Sequence, residues 1–172
     1  MKIDMDSRPK RKSLRLKDYD YSTPGAYFIT VCTENRRKVL GNLVGRDACD
    51  APQFELSAYG KTLDKYIGIM SEKYEHIRID KYVIMPDHFH LLLRITDRNC
   101  QKHGVSQASR PTKSEVAKFV SLLKRYCNKE YGQNIWQSSY NDHIIRNEKD
   151  YLEVMQYIEN NPMRLKLGYS RS

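Results

Sequence analysis

Cysteine offers this chain no framework. The four cysteines, Cys32, Cys49, Cys100 and Cys127, lie far apart, with no CxxC or other short ligand spacing. That argues against a cysteine-built metal site or a disulfide scaffold and for free thiols in a reducing compartment. No apolar run approaches the ~18 residues needed to cross a bilayer, so no membrane partner is expected. The opening residues, MKIDMDSRPKRKSLRLKDYD, lack the apolar stretch of a secretory signal, and the expected location is cytoplasmic. Internal repeats and low-complexity tracts are absent as well. Acidic residues are scarce relative to basic ones, 21 against 30, leaving a net charge of +9 and a pI near 9.3. Such a balance favours polyanionic partners, nucleic acid first.

What is present fits one domain. A length of 172 residues is enough for a core that folds alone. Residues 1–20 form a basic arm in which Arg8, Lys10, Arg11, Lys12, Arg15 and Lys17 can meet a phosphate backbone. Residues 21–167 form the domain, with a polar, flexible loop at about 97–111.

The pattern within the domain is mixed. A Ser22-Thr23-Pro24-Gly25 turn leads into Ala26–Cys32, a β-branched and aromatic run that reads as a strand. A polar segment follows, with a short extra strand near Val39–Val44. Ser57 then caps a helix carrying Leu63, Tyr66, Ile67 and Met70 on one face. Two strand-like runs, His76–Met85 and His88–Ile95, flank a Pro86-Asp87 turn. Thr112 and Glu115 have capping-box spacing before a helix bearing Val116, Phe119, Val120, Leu123 and Tyr126. Trp136–Ile145 reads as a strand, and Asn147 caps a last helix from Glu148 to about Asn161, ended by Pro162. The order predicts an α+β fold: a ferredoxin-like antiparallel sheet with helices packed on one face, plus a C-terminal helix.

The sharpest local signal is His88-Phe89-His90. Side chains at i and i+2 of a strand leave the same face, roughly 6.6–7 Å apart along the chain. Two imidazoles so placed can converge on one divalent cation, with Phe89 in the opposite layer. The pair alone leaves a metal site incomplete, and a third ligand must come from elsewhere. An arbitrary HxH is more often two solvated polar residues; here it opens an apolar strand directly after a Pro-Asp turn.

In the last helix, Tyr151, Val154, Met155 and Ile158 share a face that should lie on the sheet. Tyr151 falls at its centre and reads as core. Tyr157 falls on its flank, roughly 110° away at 100° per residue, with Asn161 one turn further on. A tyrosine at the edge of a core would suit many helices, so its meaning depends on the histidines. Together they suggest phosphodiester chemistry. A cation held by two neutral imidazoles neutralises a phosphate oxygen, and a tyrosine can attack to give a covalent intermediate that conserves the bond energy. A free phenol ionises only near pH ~10, so such a nucleophile needs help in losing its proton. Tyr126, Tyr131, Trp136 and Tyr140 are candidates for stacking unpaired bases or for the core, with Trp136 favoured as core.

Three segments, RKSLRLKDYDYSTPGAYFITVCTENRR, VIMPDHFHLLL and WQSSYNDHIIRNEKDYLEVMQYIENNP, together resemble the single-tyrosine HUH transposases, specifically the branch of REP-associated tyrosine transposases (IS200-like). The resemblance runs from about Arg11 to Leu167. It implies that His88 and His90 are the metal-binding pair, that Tyr157 is the nucleophile and that the metal is Mg²⁺ or Mn²⁺. Related insertion-sequence transposases carry Tyr-x-x-x-Gln with the glutamine as third metal ligand; here the text is Tyr157-Ile-Glu-Asn-Asn161, which makes Asn161 the corresponding amide, one methylene shorter, with Asn160 or water as substitutes. His143 and Arg146 fall in the matching SYNDHIIR text and are assigned to DNA contact, with a positional role as the alternative for His143. The implied reaction is cleavage and rejoining of single-stranded DNA beside hairpins through a 5′-phosphotyrosine. Relatives often dimerise, and both a monomer and a homodimer are compatible with the sequence. The rival readings are a ferredoxin-like nucleic-acid-binding module without catalysis, and a metal-dependent hydrolase using water as nucleophile.

Overall fold

The computed structural model describes residues 19–44, 53–96 and 114–166. Strand β1 (Gly25–Cys32) is followed by a short 3-10 turn and a small hairpin of β2 (Gly41–Val44) and β3 (Gln53–Leu56). Helix α1 (Ala58–Lys73) leads to β4 (Ile77–Ile84) and β5 (His88–Ile95), then to α2 (Glu115–Tyr131), β6 (Asn141–Ile145) and α3 (Glu148–Lys166). The main sheet has four strands in the order β4-β5-β1-β6, with every neighbouring pair antiparallel. That order follows from the expected split βαβ plan, with the β2–β3 hairpin as an insertion between β1 and α1.

Strand alternation divides the sheet into two faces. One carries Tyr27, Ile29, Val31, Phe89, Leu91 and Leu93, which pack against Leu63, Ile67 and Met70 of α1 and Val116, Phe119, Val120 and Leu123 of α2. The other carries Phe28, Val83, Leu92 and Ile145, which pack against Val154 and Ile158 of α3. Two helices thus share one face, as the pattern predicts. The last helix covers the opposite face, a choice that periodicity within a helix does not encode.

The helices begin where short oxygen-bearing side chains can satisfy their first amides. Ser57 Oγ accepts from Gly60 N at 3.2 Å, and Asn147 Oδ1 accepts from Asp150 N at 2.9 Å. At α2 the cap is Ser114, whose hydroxyl accepts from Ala117 N at 3.2 Å. This corrects the expected Thr112–Glu115 box: Ser114 directly precedes the first turn, while the Glu115 carboxylate pairs with His76 and Lys118. Thr112 lies outside the described residues.

Two further expectations change. Strand β6 starts at Asn141, because Lys124 Nζ donates to the carbonyls of Gln137 (2.7 Å) and Ser139 (3.0 Å) and so takes acceptors that a longer strand would use. Trp136 makes only an isolated bridge to Thr33. The final helix passes Pro162 and ends at Lys166, since an interior proline forfeits its own amide bond without forbidding helical residues beyond it. The extra strand near Val39–Val44 is β2, and its partner β3 carries little signal of its own. The arm, the 97–111 loop, Cys49 and Cys100 fall wholly or almost wholly outside the described residues, whereas Cys32 and Cys127 are buried free thiols.

Gly60 fixes how closely α1 approaches the β2 region. A Cβ there would stand 2.0 Å from the Leu40 carbonyl oxygen, which is backbone and cannot swing away. Gly60→Ala is therefore expected to destabilise the fold by about 1–3 kcal/mol, read by chemical denaturation. Unchanged stability would show that α1 can shift freely.

Candidate active site

Two strands and one helix meet at the face covered by α3. Met85 N donates to His88 O at 2.8 Å across the Pro86-Asp87 turn, which starts β5 at His88. The β1–β5 register then sets Cys32 opposite His88, Thr30 opposite His90 and Phe28 opposite Leu92. His88 and His90 share the face under α3, as i and i+2 require, and Phe89 lies on the other face against Trp136, ring centroids 5.4 Å apart.

Each imidazole is held from behind. His88 Nδ1 is 2.6 Å from Asp87 Oδ1, and His90 Nδ1 is 2.8 Å from Thr30 Oγ1. The Nε2 atoms face each other at 3.1 Å. A carboxylate only accepts, so His88 Nδ1 carries the hydrogen, and in the neutral ring Nε2 then presents a lone pair. The contact between the rings is satisfied when His90 Nε2 donates to His88 and the Thr30 hydroxyl donates to His90. Thr30 can also accept, so the same contact supports the other His90 tautomer, in which both Nε2 lone pairs point into one space. A cation, or a water donating to both, satisfies two such lone pairs.

Electrostatics agree. Burial, the His88 charge and Arg36 push His90 down to about 3, with Asp87 opposing. His90, 4% exposed, is accordingly a neutral imidazole at neutral pH. Burial works to raise the Asp87 carboxyl, but its hydrogen bond to His88, the His88 charge and Arg36 outweigh that and hold it below the usual carboxylate range.

Tyr157 reaches this pair from α3. Its ring centroid is 5.4 Å from that of His90 and 5.8 Å from that of Phe28, edge-on to both, while Phe28 stacks on His90 at 5.0 Å. Tyr157 is 37% exposed, so it borders both the core and solvent. The helix is pinned in place by Asp80, which sits at the register shift between Ile79 and Lys81. Asp80 accepts from the Tyr151 hydroxyl at 3.0 Å and pairs with Arg94 at 3.1 Å and Arg78 at 3.0 Å. Lys81 and Glu159 form a further ion pair between β4 and α3. Tyr151 is thus a docking residue, half-buried with a polar anchor.

Asn161 follows one turn after Tyr157 on the sheet-facing side of α3. It is buried, and its amide nitrogen meets no hydrogen-bond partner among the described residues. No group of three or more histidine, cysteine or acidic side chains gathers as a metal site among the described residues. A cation at the histidine pair would take its remaining ligands from an amide, solvent or substrate.

The other sequence candidates stand apart. His143 pairs with Phe28 in the sheet and so lies on the His90 face, but its Nε2 is held by both oxygens of Asp150, at 2.8 and 3.0 Å. Arg146 is exposed beyond β6, and its backbone amide donates to Asp150. Arg8, Lys10, Arg11, Lys12, Arg15 and Lys17 lie outside the described residues. Tyr126 stacks on Tyr66, Tyr131 meets Tyr59 edge-on, and Trp136 and Tyr140 are buried, so packing engages all four. Thr30, Asp87 and Phe28 are the site residues that sequence reading misses. Asp87 is next to His88 and could have been suspected; Thr30 and Phe28 become neighbours only through strand register.

This arrangement joins a histidine pair, a tyrosine on a helix flank and a basic chain. The family model described as Transposase IS200 like matches residues 23–161, a span that includes both histidines, Tyr157 and Asn161. The chain belongs to the IS200-like transposase family, enzymes that act on DNA. An uncharacterized protein of Haemophilus influenzae is 30% identical over 165 residues, covering 89% of this chain and 88% of that protein. A REP-associated tyrosine transposase of Escherichia coli is 26% identical over 144 residues, covering 84% of this chain and 70% of its own length. The solved structure of a REP-associated tyrosine transposase bound to a REP hairpin shares the fold, with a TM-score of 0.61 at 22% identity over 87% of this chain and 73% of that one. No helix among the described residues is long and apolar enough to cross a membrane.

The His90 environment gives a pH signature. Because its folded pKa of about 3 lies below the ~6.5 of an unfolded histidine, the unfolded state takes the proton first, and this contribution to stability is lost as pH falls from about 6.5 towards 3. In metal-free protein, the His90 imidazole signals in NMR should therefore stay at their neutral positions down to about pH 4. Titration near pH ~6.5 would contradict the burial described here.

Proposed function

We propose that this chain is a REP-associated tyrosine transposase that cuts and rejoins single-stranded DNA beside hairpins, with Tyr157 as nucleophile. The observation that carries the reading is the convergence of His88 Nε2 and His90 Nε2, 3.1 Å apart, beside the Tyr157 ring. The named relatives and the hairpin-bound structural neighbour support the substrate class.

The residues fit a divalent cation, Mg²⁺ or Mn²⁺. His88 and His90 would hold it through Nε2, with the buried amide of Asn161 as third ligand. Such a cation would supply positive charge against a non-bridging phosphate oxygen and ease ionisation of a nearby phenol. Asp87 and Thr30 fix the ring orientations from behind, so the pair is set before substrate arrives. Tyr157 Oη attacks the scissile phosphorus; the Oη–P bond forms as the P–O3′ bond breaks. The phenolic proton passes to solvent, and the leaving 3′-oxygen takes one up. The product is a 5′-phosphotyrosine and a free 3′-hydroxyl, and attack by a 3′-hydroxyl reverses the step. Phe28 and the docking of α3 through Tyr151 and Asp80 hold the Tyr157 ring against His90 throughout.

The test is incubation with labelled single-stranded hairpin DNA and Mn²⁺, followed by denaturing gel and intact mass. Wild type should give a metal-dependent protein–DNA adduct that maps to Tyr157. Tyr157→Phe should abolish the adduct while changing hairpin affinity less than threefold, and His88→Ala with His90→Ala should remove metal-dependent cleavage. Tight binding with no adduct across many hairpins would instead favour a nucleic-acid-binding module without catalysis.

A further inference from the structure

The segment between β1 and β2, Thr33–Leu40, carries three consecutive cations, Arg36, Arg37 and Lys38, all exposed. Its backbone is unusual. Asn35 and Arg36 are successive non-glycine residues in the left-handed region, with φ of 53° and 54°. Asparagine tolerates that region, whereas a long side chain such as arginine seldom enters it. Neighbouring bonds hold the conformation. Thr33 N donates to Asp87 O at 2.9 Å, Thr33 Oγ1 lies 2.7 Å from Arg37 O and 3.0 Å from Asp87 O, Glu34 N donates to Ile135 O at 2.7 Å, and Leu40 N donates to Pro86 O at 2.9 Å. The loop is fastened to the very turn that starts the histidine strand.

That fastening sets a cationic edge beside the site. Arg36 NH1 is 3.4 Å from Asp87 Oδ2, and the other Asp87 oxygen holds His88. One carboxylate therefore separates a half-exposed guanidinium from the histidine pair. Among the described residues no ion pair engages Arg37 or Lys38, and Glu34 is the only acid in the segment. A merely solvated charge run needs neither a left-handed backbone nor five hydrogen-bond contacts to fix it.

We propose that Arg36, Arg37 and Lys38 form a phosphate-binding edge that grips the DNA backbone on the nucleotides flanking the phosphate at His88 and His90. The ligand class is the phosphodiester of single-stranded nucleic acid, which arginine can meet with paired N–H donors. This rests on the DNA-cleaving reading above and adds a site to it. The edge orients the strand so that the scissile phosphorus faces Tyr157, without reading bases.

The test is fluorescence anisotropy of a labelled single-stranded hairpin oligonucleotide at several KCl concentrations, with adduct formation measured in parallel. The double variant R37Q K38Q leaves the left-handed Arg36 in place and should keep its melting temperature. Its plot of log affinity against log salt should be shallower by ~1.4, about 0.7 per lost contact, and that of R36Q R37Q K38Q by ~2. The charge-keeping variant R37K should retain the wild-type slope. In R37Q K38Q, more DNA should be needed for half-maximal adduct formation. Wild-type slope and affinity in R37Q K38Q, with wild type still forming adduct, would overturn the proposal and leave the transposase reading intact. A wild-type protein that binds no hairpin DNA would sink that reading and this one with it.

Discussion

The register of β1 against β5 is the constraint on which the rest depends. It sets Thr30 opposite His90 and Cys32 opposite His88, so a β1 hydroxyl can hold a β5 imidazole. A slip of one residue would turn every side chain of a strand to the other face and place Phe89 where His90 stands. Burial secures the register. Tyr27, Ile29 and Val31 must meet α1 and α2, and the site is built on the alternate residues of the same strands. Stability on one face thus enforces geometry on the other.

The two faces divide the work. The α1 and α2 side holds the larger core, including Trp136 and Phe89 directly beneath the histidine pair. The α3 side has a small apolar contact around Leu92, Val154 and Ile158, supplemented by the polar anchor at Asp80. A helix held by few apolar contacts, the Tyr151–Asp80 hydrogen bond and the Lys81–Glu159 and His143–Asp150 pairs is a less permanent attachment than α1 or α2. That suits an element proposed to carry the nucleophile beside solvent. The charge balance of the chain, +9, is consistent with a polyanion approaching this face.

Much of this was legible from residues alone. Period-two runs marked β1, β4 and β5, period 3.6 marked the helices, and Ser57 and Asn147 marked two starts, because local chemistry decides these features. The histidine pair and Tyr157 were legible as a set through the family resemblance, and the structure brings their rings together. What was not legible came from long-range contacts. Lys124 shortens β6 by taking the carbonyls of Gln137 and Ser139, the face chosen by α3 follows from packing, and the partnership of Thr30 with His90 bridges sixty residues of chain. Tyr126, Tyr131, Trp136 and Tyr140 all make packing contacts, with only Trp136 and Tyr140 buried, and aromatic composition alone does not distinguish a base platform from a core.

His88 and His90 are proposed to form one cation site, and pulsed EPR of Mn²⁺ bound to the protein is the test. The predicted spectrum shows nitrogen couplings from two imidazoles, reduced to one in His88→Ala. A spectrum with no imidazole nitrogen, or one unchanged in that variant, would contradict the assignment and with it the reason the two rings face each other.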